Sequence, residues 1–239
     1  MSQAADRPGV RGPWTWGDEL NKLDLAAYAA IAVTPTPGMD VALRRLSRAA
    51  SYSRLWLGCS AVLAACGGKR GRRAAANGLA SIALTSAVVN LVLKPIGNRR
   101  RPDRQMYDIP VARQVTMPRS TSWPSGHAAS AFAFASGVGA AWPQAGIPLG
   151  VVASLVAYSR VHTGVHYPSD TIAGTVCGVA LAPVAVAGSK RLLDESAKDL
   201  LERGLRRELD LCAQLFATED ADEGLKAFLD KRPPVFKGQ

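Results

Sequence analysis

Five stretches of this chain, near residues 52–68, 74–93, 127–142, 146–161 and 171–188, run almost without charge, and that segregation constrains the fold more than any other feature. A bilayer's hydrocarbon core takes roughly 20 residues of apolar helix, and each stretch approaches that length. The stretches are rich in Gly, Ala and Ser, residues that let helices approach closely in lipid. The mean hydropathy of the whole chain is only +0.04, because the charges crowd into the two ends and a few loops. Five nearly uncharged segments argue against a soluble bundle of buried helices. The expected fold is an all-α membrane protein with about five transmembrane helices, an N-terminal interfacial helix and a C-terminal amphipathic helical tail. The matching division is an N-terminal segment over 1–50, a transmembrane core over 51–188 and a soluble tail over 189–239.

The ends read differently from the core. Pro8, Gly9, Gly12 and Pro13 mark a loose start, and Asp6, Asp18 and Glu19 do not fit a cleavable signal peptide. Leu23 to Val33 is apolar but about half the length of a span, and Pro35, Pro37 and Gly38 break any helix after it. Between Val41 and Leu55 apolar residues alternate with Arg44, Arg45, Arg48 and Arg54. That pattern suits a helix on a membrane surface or a short helix packed on the rest. From Lys190 to Phe216, leucines recur near helical spacing among charges, as in an amphipathic helix. Asp220, with Glu223 three residues on, suggests the cap of a short helix that Pro233 and Pro234 end. The four cysteines, Cys59, Cys66, Cys177 and Cys212, form no CxxC pair, and three lie in apolar runs where a thiol is a small hydrophobe.

Three polar clusters interrupt the apolar core, each at the end of a predicted span. Lys94 is followed after six residues by Arg101-Pro102. Pro124-Ser125-Gly126-His127 opens the third span. Ser159-Arg160 is followed after five residues by His166 and after three more by Asp170. Counting crossings, all three emerge on one membrane face. Arg offers a planar fork of donors and Lys a point charge, both suited to phosphoryl oxygens. Ser125 and Gly126 precede a helix whose free N–H groups favour an anion, and Gly126 lets the backbone come close. Two histidines there can divide nucleophile and acid roles. Alone, a basic juxtamembrane loop is most often an orientation signal, and Pro-Ser-Gly is an ordinary turn or cap. The conjunction carries the weight, since two of only three histidines fall in these clusters.

In order and spacing the clusters resemble the three-part signature of the type 2 phosphatidic acid phosphatase superfamily. The resemblance implies a metal-independent, two-step phosphoryl transfer with no cofactor. His166 would attack phosphorus, Asp170 would hold its imidazole, and His127 would protonate the leaving oxygen and later activate water. Lys94, Arg101 and Arg160, with Ser125 and the Gly126 amide, would bind the phosphate. His162 sits at a variable position, with a structural or pocket-lining role expected. Vanadium-dependent haloperoxidases use the same anion-binding signature, but the membrane segments argue against them. A membrane scaffold presenting the C-terminal helix to a partner would leave the charged clusters unexplained.

The run Glu208 to Gln239 resembles instead the C-terminal end of enoyl-CoA hydratases, the crotonase family. It carries Thr218-Glu219-Asp220 and Lys231-Arg232-Pro233-Pro234-Val235-Phe236-Lys237-Gly238. The parts of those enzymes that do chemistry lie upstream and have no counterpart here, so no hydratase activity is expected. The fragment is either inert or a docking helix for a protein partner.

The expected substrate is a lipid phosphate: phosphatidic acid, phosphatidylglycerol phosphate, or a polyprenyl mono- or diphosphate. No nucleic-acid partner is expected, despite a formal net charge of +10. Lys69, Arg70, Arg72 and Arg73 lie opposite the site, on the face where Lys190 and Arg191 follow the last span. The positive-inside rule then makes this a multi-pass cell-membrane protein with an extracytoplasmic site and a cytoplasmic tail.

Overall fold

The computed structural model describes residues 16–238, and every regular element among them is helical. The loose start expected at Pro8, Gly9, Gly12 and Pro13, and Asp6 with it, lies outside the described residues. In order the helices are α1 (Trp16–Val33), α2 (Pro37–Ala49), α3 (Arg54–Cys66), α4 (Gly68–Val88), α5 (Lys94–Gly97), α6 (Gly126–Ala141), α7 (Pro143–His162), α8 (Pro168–Phe216) and α9 (Glu219–Leu229). A 3₁₀ turn over Ser51–Ser53 precedes α3, and a π-helical turn over Val89–Leu93 joins α4 to α5.

The five apolar segments fall on α3, α4 with its π turn, α6, α7 and α8. Two helical stretches, Gly68–Gly97 and Pro168–Phe216, are long and apolar enough to cross a membrane. α3, with 13 residues ending at Gly67, is shorter than its apolar stretch, while α6 keeps 16 residues and ends at Trp142, where Pro143 starts the next helix. α8 continues past residue 188 for the opposite reason. A glycine there costs about 1 kcal/mol of helix propensity, too little to end a helix that Lys190 and Leu192 continue.

Two compact units are present, one up to Ala187 and one from Gly188. In the first, α6 is central and packs against α4 and α7, and α3 packs on α4. Trp56 and Phe134, both fully buried, stack at 5.3 Å among Ile82, Val138, Ala153 and Val156. Small residues set the helix separations. A Cβ on Gly174 would stand 2.4 Å from the Ser125 carbonyl oxygen, and one on Gly178 would stand 2.3 Å from that of Ala129. These contacts let α8 lie directly on the α6 backbone, as close packing in lipid requires.

The arginine-bearing helix α2 packs against the bundle. It lies on α7 with Asp40, Leu43 and Ser47 buried, while Arg45 and Arg48 remain exposed. Arg113, 1% exposed, secures it. Its guanidinium donates to Asp40 at 2.9 Å and to the carbonyls of Ile31, Ala32 and Thr34, which end α1. His162 lies at this contact, with Nε2 2.9 Å from Thr36 and 3.2 Å from Asp40.

In the second unit the cap of α9 falls two residues earlier than the sequence suggested. Thr218, in extended conformation, accepts from the Ala221 N–H. Asp220 instead receives the Lys237 and Gly238 amides at 2.6 Å, and Glu223 receives both ends of the Arg232 guanidinium. The segment after Pro233 is thereby strapped back along α9.

Candidate active site

The turn after α7 positions His166. Gly164 adopts φ +69°, Gly164 N–H bonds the Val161 carbonyl, and Val165 N–H bonds that of Arg160. This is a Schellman ending, for which glycine is the favoured residue. It folds the chain back so that the His166 N–H also meets the Arg160 carbonyl, at 3.2 Å.

Asp170 is set by the start of α8. Its carboxylate accepts the Tyr167 N–H at 2.9 Å, as an N3 acid does in a capping box. The His-x-x-x-Asp spacing is thus local geometry, an acid one turn into a helix facing a histidine just before it. Asp170 Oδ2 lies 3.5 Å from His166 Nδ1, and the Ser122 hydroxyl donates to that oxygen at 2.5 Å while sitting 3.4 Å from Nδ1.

Nε2 of His166 points the other way, 3.2 Å from an Arg101 nitrogen. A guanidinium only donates, so Nε2 is the bare nitrogen and the ring proton sits on Nδ1, toward Asp170 and Ser122. Burial, opposed by Asp170 and aided by Arg101 and Arg160, pushes the His166 imidazole down to about 4. It is neutral near pH 7, with a free lone pair on Nε2.

Arg101 is one of a group of three cations: Lys94 stands in its field and that of Arg160, and Arg160 in the field of Arg101. Arg101 is anchored by the carbonyls of Ser120, Thr121 and Val165. Burial lowers its guanidinium from the usual value, though it stays charged. Lys94, the first residue of α5, donates to Ser120 at 3.2 Å and lies 3.7 Å from where a Gly126 Cβ would stand. Arg160, 2% exposed, gives one nitrogen to Ser47 at 2.6 Å, and its Nε is unpaired. The salt bridges among the described residues include none of the three. Clustered cations, Arg160 buried and Lys94 and Arg101 half-buried, that form no ion pair with a carboxylate mark a place for an anion.

Ser125 caps α6 through the Ala128 N–H, and its own N–H bonds the Asp170 carbonyl, which ties the starts of α6 and α8 together. His127, one residue into α6, has Nε2 3.4 Å from Ser51 and lies within the fields of Arg160, His166, Lys94 and Arg101. His127, Gly126, Lys94 and Arg160 line one cavity of about 620 Å³, closed on another side by the connector Arg48–Ser53. The eight residues to which the resemblance gives roles therefore gather at one end of the first unit.

Sequence reasoning missed the support behind them. Arg99 donates to Asp170 Oδ1 at 2.9 Å and to Ser169 at 2.8 Å, reaches Asp24 at 2.6 Å, and lies over the Tyr167 ring at 4.1 Å. Asp24, on α1, also accepts the Ser169 N–H and hydroxyl. Ser47 and Ser51 come from α2 and the turn after it. The sequence signals were Arg99's place in the basic run after Lys94 and Asp24, an acid at the edge of the apolar run that starts at Leu23.

A cationic pocket around a neutral, carboxylate-backed histidine at the end of a helical bundle defines an enzyme of phosphate-ester chemistry. Residues 75–193 match the PAP2 superfamily. The chain is 34% identical over 173 residues to decaprenylphosphoryl-5-phosphoribose phosphatase in two strains of Mycobacterium tuberculosis, covering 70% of this chain and 93% of that protein. The chain belongs to the PAP2 superfamily and is a phosphatase with membrane character. Two crystal structures share the fold. They are LpxE of Aquifex aeolicus (TM-score 0.57, 22% identity, 69% of this chain and 95% of that one) and a PAP2-type phosphatidylglycerolphosphate phosphatase of Bacillus subtilis (TM-score 0.55, 23% identity, 73% and 88%). A separate likeness, 45% identity over 58 residues, links 24% of this chain to 23% of the 2,3-dehydroadipyl-CoA hydratase of Escherichia coli K12.

Proposed function

We propose that this chain hydrolyses a lipid phosphate by metal-independent transfer through a phosphohistidine. His166 Nε2 attacks phosphorus, the bond to the lipid oxygen breaks, and that oxygen takes the electron pair and a proton from His127. In the second step His127 accepts a proton from water, whose oxygen attacks the phosphohistidine, releasing inorganic phosphate and restoring His166. Asp170 holds the Nδ1 proton throughout, as a buried carboxylate does in hydrolase triads. Lys94, Arg101, Arg160, Ser125 and the Gly126 amide neutralise the phosphoryl oxygens, where most of the catalysis of phosphoryl transfer arises.

The observation that carries this reading is a group of three cations, Lys94, Arg101 and Arg160, of which Arg101 lies 3.2 Å from His166 Nε2, with no carboxylate among their ion pairs. Lipid phosphates fit it: phosphatidic acid, phosphatidylglycerol phosphate or a polyprenyl phosphate. The name of the mycobacterial relative, a phosphatase of a decaprenyl lipid, supports that class. We further propose five membrane crossings within a core over 51–188. The site faces outward and the tail over 189–239 faces the cytoplasm, by the basic residues at 69–73 and 190–191. The crotonase-like end of that tail is read as catalytically inert.

The test is phosphate release from a panel of these lipids by purified protein in excess chelator. Wild type is expected to hydrolyse at least one, with His166→Ala and His127→Ala reduced by about 10³-fold or more. A strict requirement for a divalent metal, or full activity in His166→Ala, refutes the mechanism.

A further inference from the structure

The connector between α2 and α3 borders two cavities. Ala50 to Ser53 line the catalytic one, whereas Ala49 and Arg54 line another, of about 670 Å³, between α3 and α7. Its walls are Leu55, Gly58, Val62 and Leu63 of α3 with Ala145 and Leu149 of α7. Arg54 is the sole charged residue among the described residues that line it.

The two helices give this groove a direction. Arg54 opens α3 beside the catalytic connector, and α7 runs the other way, from Pro143 to the Arg160 end. Arg54 therefore stands at the end level with the site, and Ala145 lies deeper. From Arg54 to Leu63 the groove descends about 14 Å along α3, roughly half of a hydrocarbon core about 30 Å thick.

Gly58 is the unusual member. Glycine weakens a helix interior, and in lipid it is commonly used to let a second helix approach. Gly174 and Gly178 serve in that way, with α6 backbone against them, but a Cβ on Gly58 would meet nothing within 4 Å. The space it leaves is exposed and no helix fills it.

The upper end carries charge to match. Arg45, one turn before Ala49 on α2, is exposed, as is Arg54, whose guanidinium lies over the Tyr52 ring at 5.5 Å. Among the described residues neither forms a salt bridge. An anionic phospholipid has the two parts this arrangement takes, a phosphate for the guanidinium groups and a hydrocarbon chain for the groove. A second copy does not, because a two-fold axis along the membrane normal would bring arginine to the level of arginine.

We propose that this groove binds an anionic phospholipid of the leaflet on the site's side, with its phosphate at Arg45 and Arg54 and an acyl chain along Gly58. This lipid is distinct from the one that is hydrolysed, and the site does not depend on which phosphate ester the catalytic cavity cleaves.

The experiment titrates the full-length protein in mixed micelles with pyrene-labelled phosphatidylglycerol or phosphatidylcholine, reading energy transfer from tryptophan. The first lipid is anionic but is a phosphodiester without a terminal phosphate, and the second has the same chains and no net charge. Wild type is expected to bind phosphatidylglycerol about 25-fold more tightly, about fivefold for each arginine. Arg45→Gln and Arg54→Gln are each expected to cut that ratio about fivefold and to leave phosphatidylcholine unchanged. Gly58→Leu puts a side chain into the groove where no protein atom opposes it, so both lipids are expected to weaken by about tenfold. Saturating inorganic phosphate, at constant ionic strength, occupies the catalytic cavity and is expected to leave phosphatidylglycerol binding unchanged. Equal affinity for the two lipids in wild type, loss of phosphatidylglycerol binding in phosphate, or wild-type affinities in Gly58→Leu overturns the proposal. So does a wild-type dimer that Gly58→Leu dissociates, which would give the groove to a second copy.

Discussion

His166 is buried as a neutral imidazole, and acid should expose the consequence. Burial among Arg101 and Arg160, only partly offset by Asp170, holds its pKa at about 4, against 6.5 for an ordinary imidazole. As pH falls through about 6.5 the unfolded chain takes up a proton that the folded site refuses until about 4. Stability is therefore undiminished above pH 6.5 and is lost between those two values. Linkage puts the loss at about 2 kcal/mol at pH 5 and about 3 kcal/mol at pH 4. For a chain of this size each kcal/mol moves Tm by about 2–4 °C, so pH 5 should lower Tm by about 4–8 °C through His166 alone. The assay is thermal melting of detergent-purified protein at pH 7.5, 6, 5 and 4.5, for wild type and His166→Gln. Glutamine does not titrate, and the other two histidines are common to both proteins. The wild-type Tm should thus fall relative to the variant by that amount. Parallel melting curves across the range would mean that His166 protonates in the folded site as easily as in the unfolded chain, and the argument for a neutral, poised Nε2 would fail.

Two further outcomes follow from the packing behind the site. Arg99→Met removes the cation shared by Asp24 and Asp170, and Asp24→Asn weakens its seat. Each should lower kcat by about 10–100-fold with little change in KM, since neither side chain touches the phosphate; an effect on KM alone would count against a positioning role. Gly178→Val should prevent stable folding, because its Cβ would stand 2.3 Å from the Ala129 carbonyl oxygen. Overpacking typically costs about 1–3 kcal/mol, and more when the obstacle is backbone. Normal yield and Tm for this variant would show that α8 does not lie on α6 at that depth.

The parts of this protein that sequence determined are those whose physics is local. Apolar runs placed the helices, because backbone hydrogen bonds and burial act along a few turns. The clusters at Lys94–Arg101, Ser125–His127 and Arg160–Asp170 were legible because each stands at the end of an apolar run and brings together residue types suited to a phosphate. Boundaries were less legible, as the cap of α9 shows, since Thr218 and Asp220 are both good caps and only the strap that claims Asp220 decides between them. What tertiary structure alone decided was partnership across long sequence separations. Asp24 reaches Arg99 and Ser169, Asp40 reaches Arg113, Ser47 reaches Arg160, and Ser122 reaches Asp170. No periodicity encodes such pairs, because a buried charge needs a counterpart in space and is indifferent to where along the chain that counterpart lies. The short, mixed segment before residue 50 therefore reads as peripheral in sequence, yet it supplies the Asp24 carboxylate that holds Arg99 and the Ser47 hydroxyl that holds the buried Arg160.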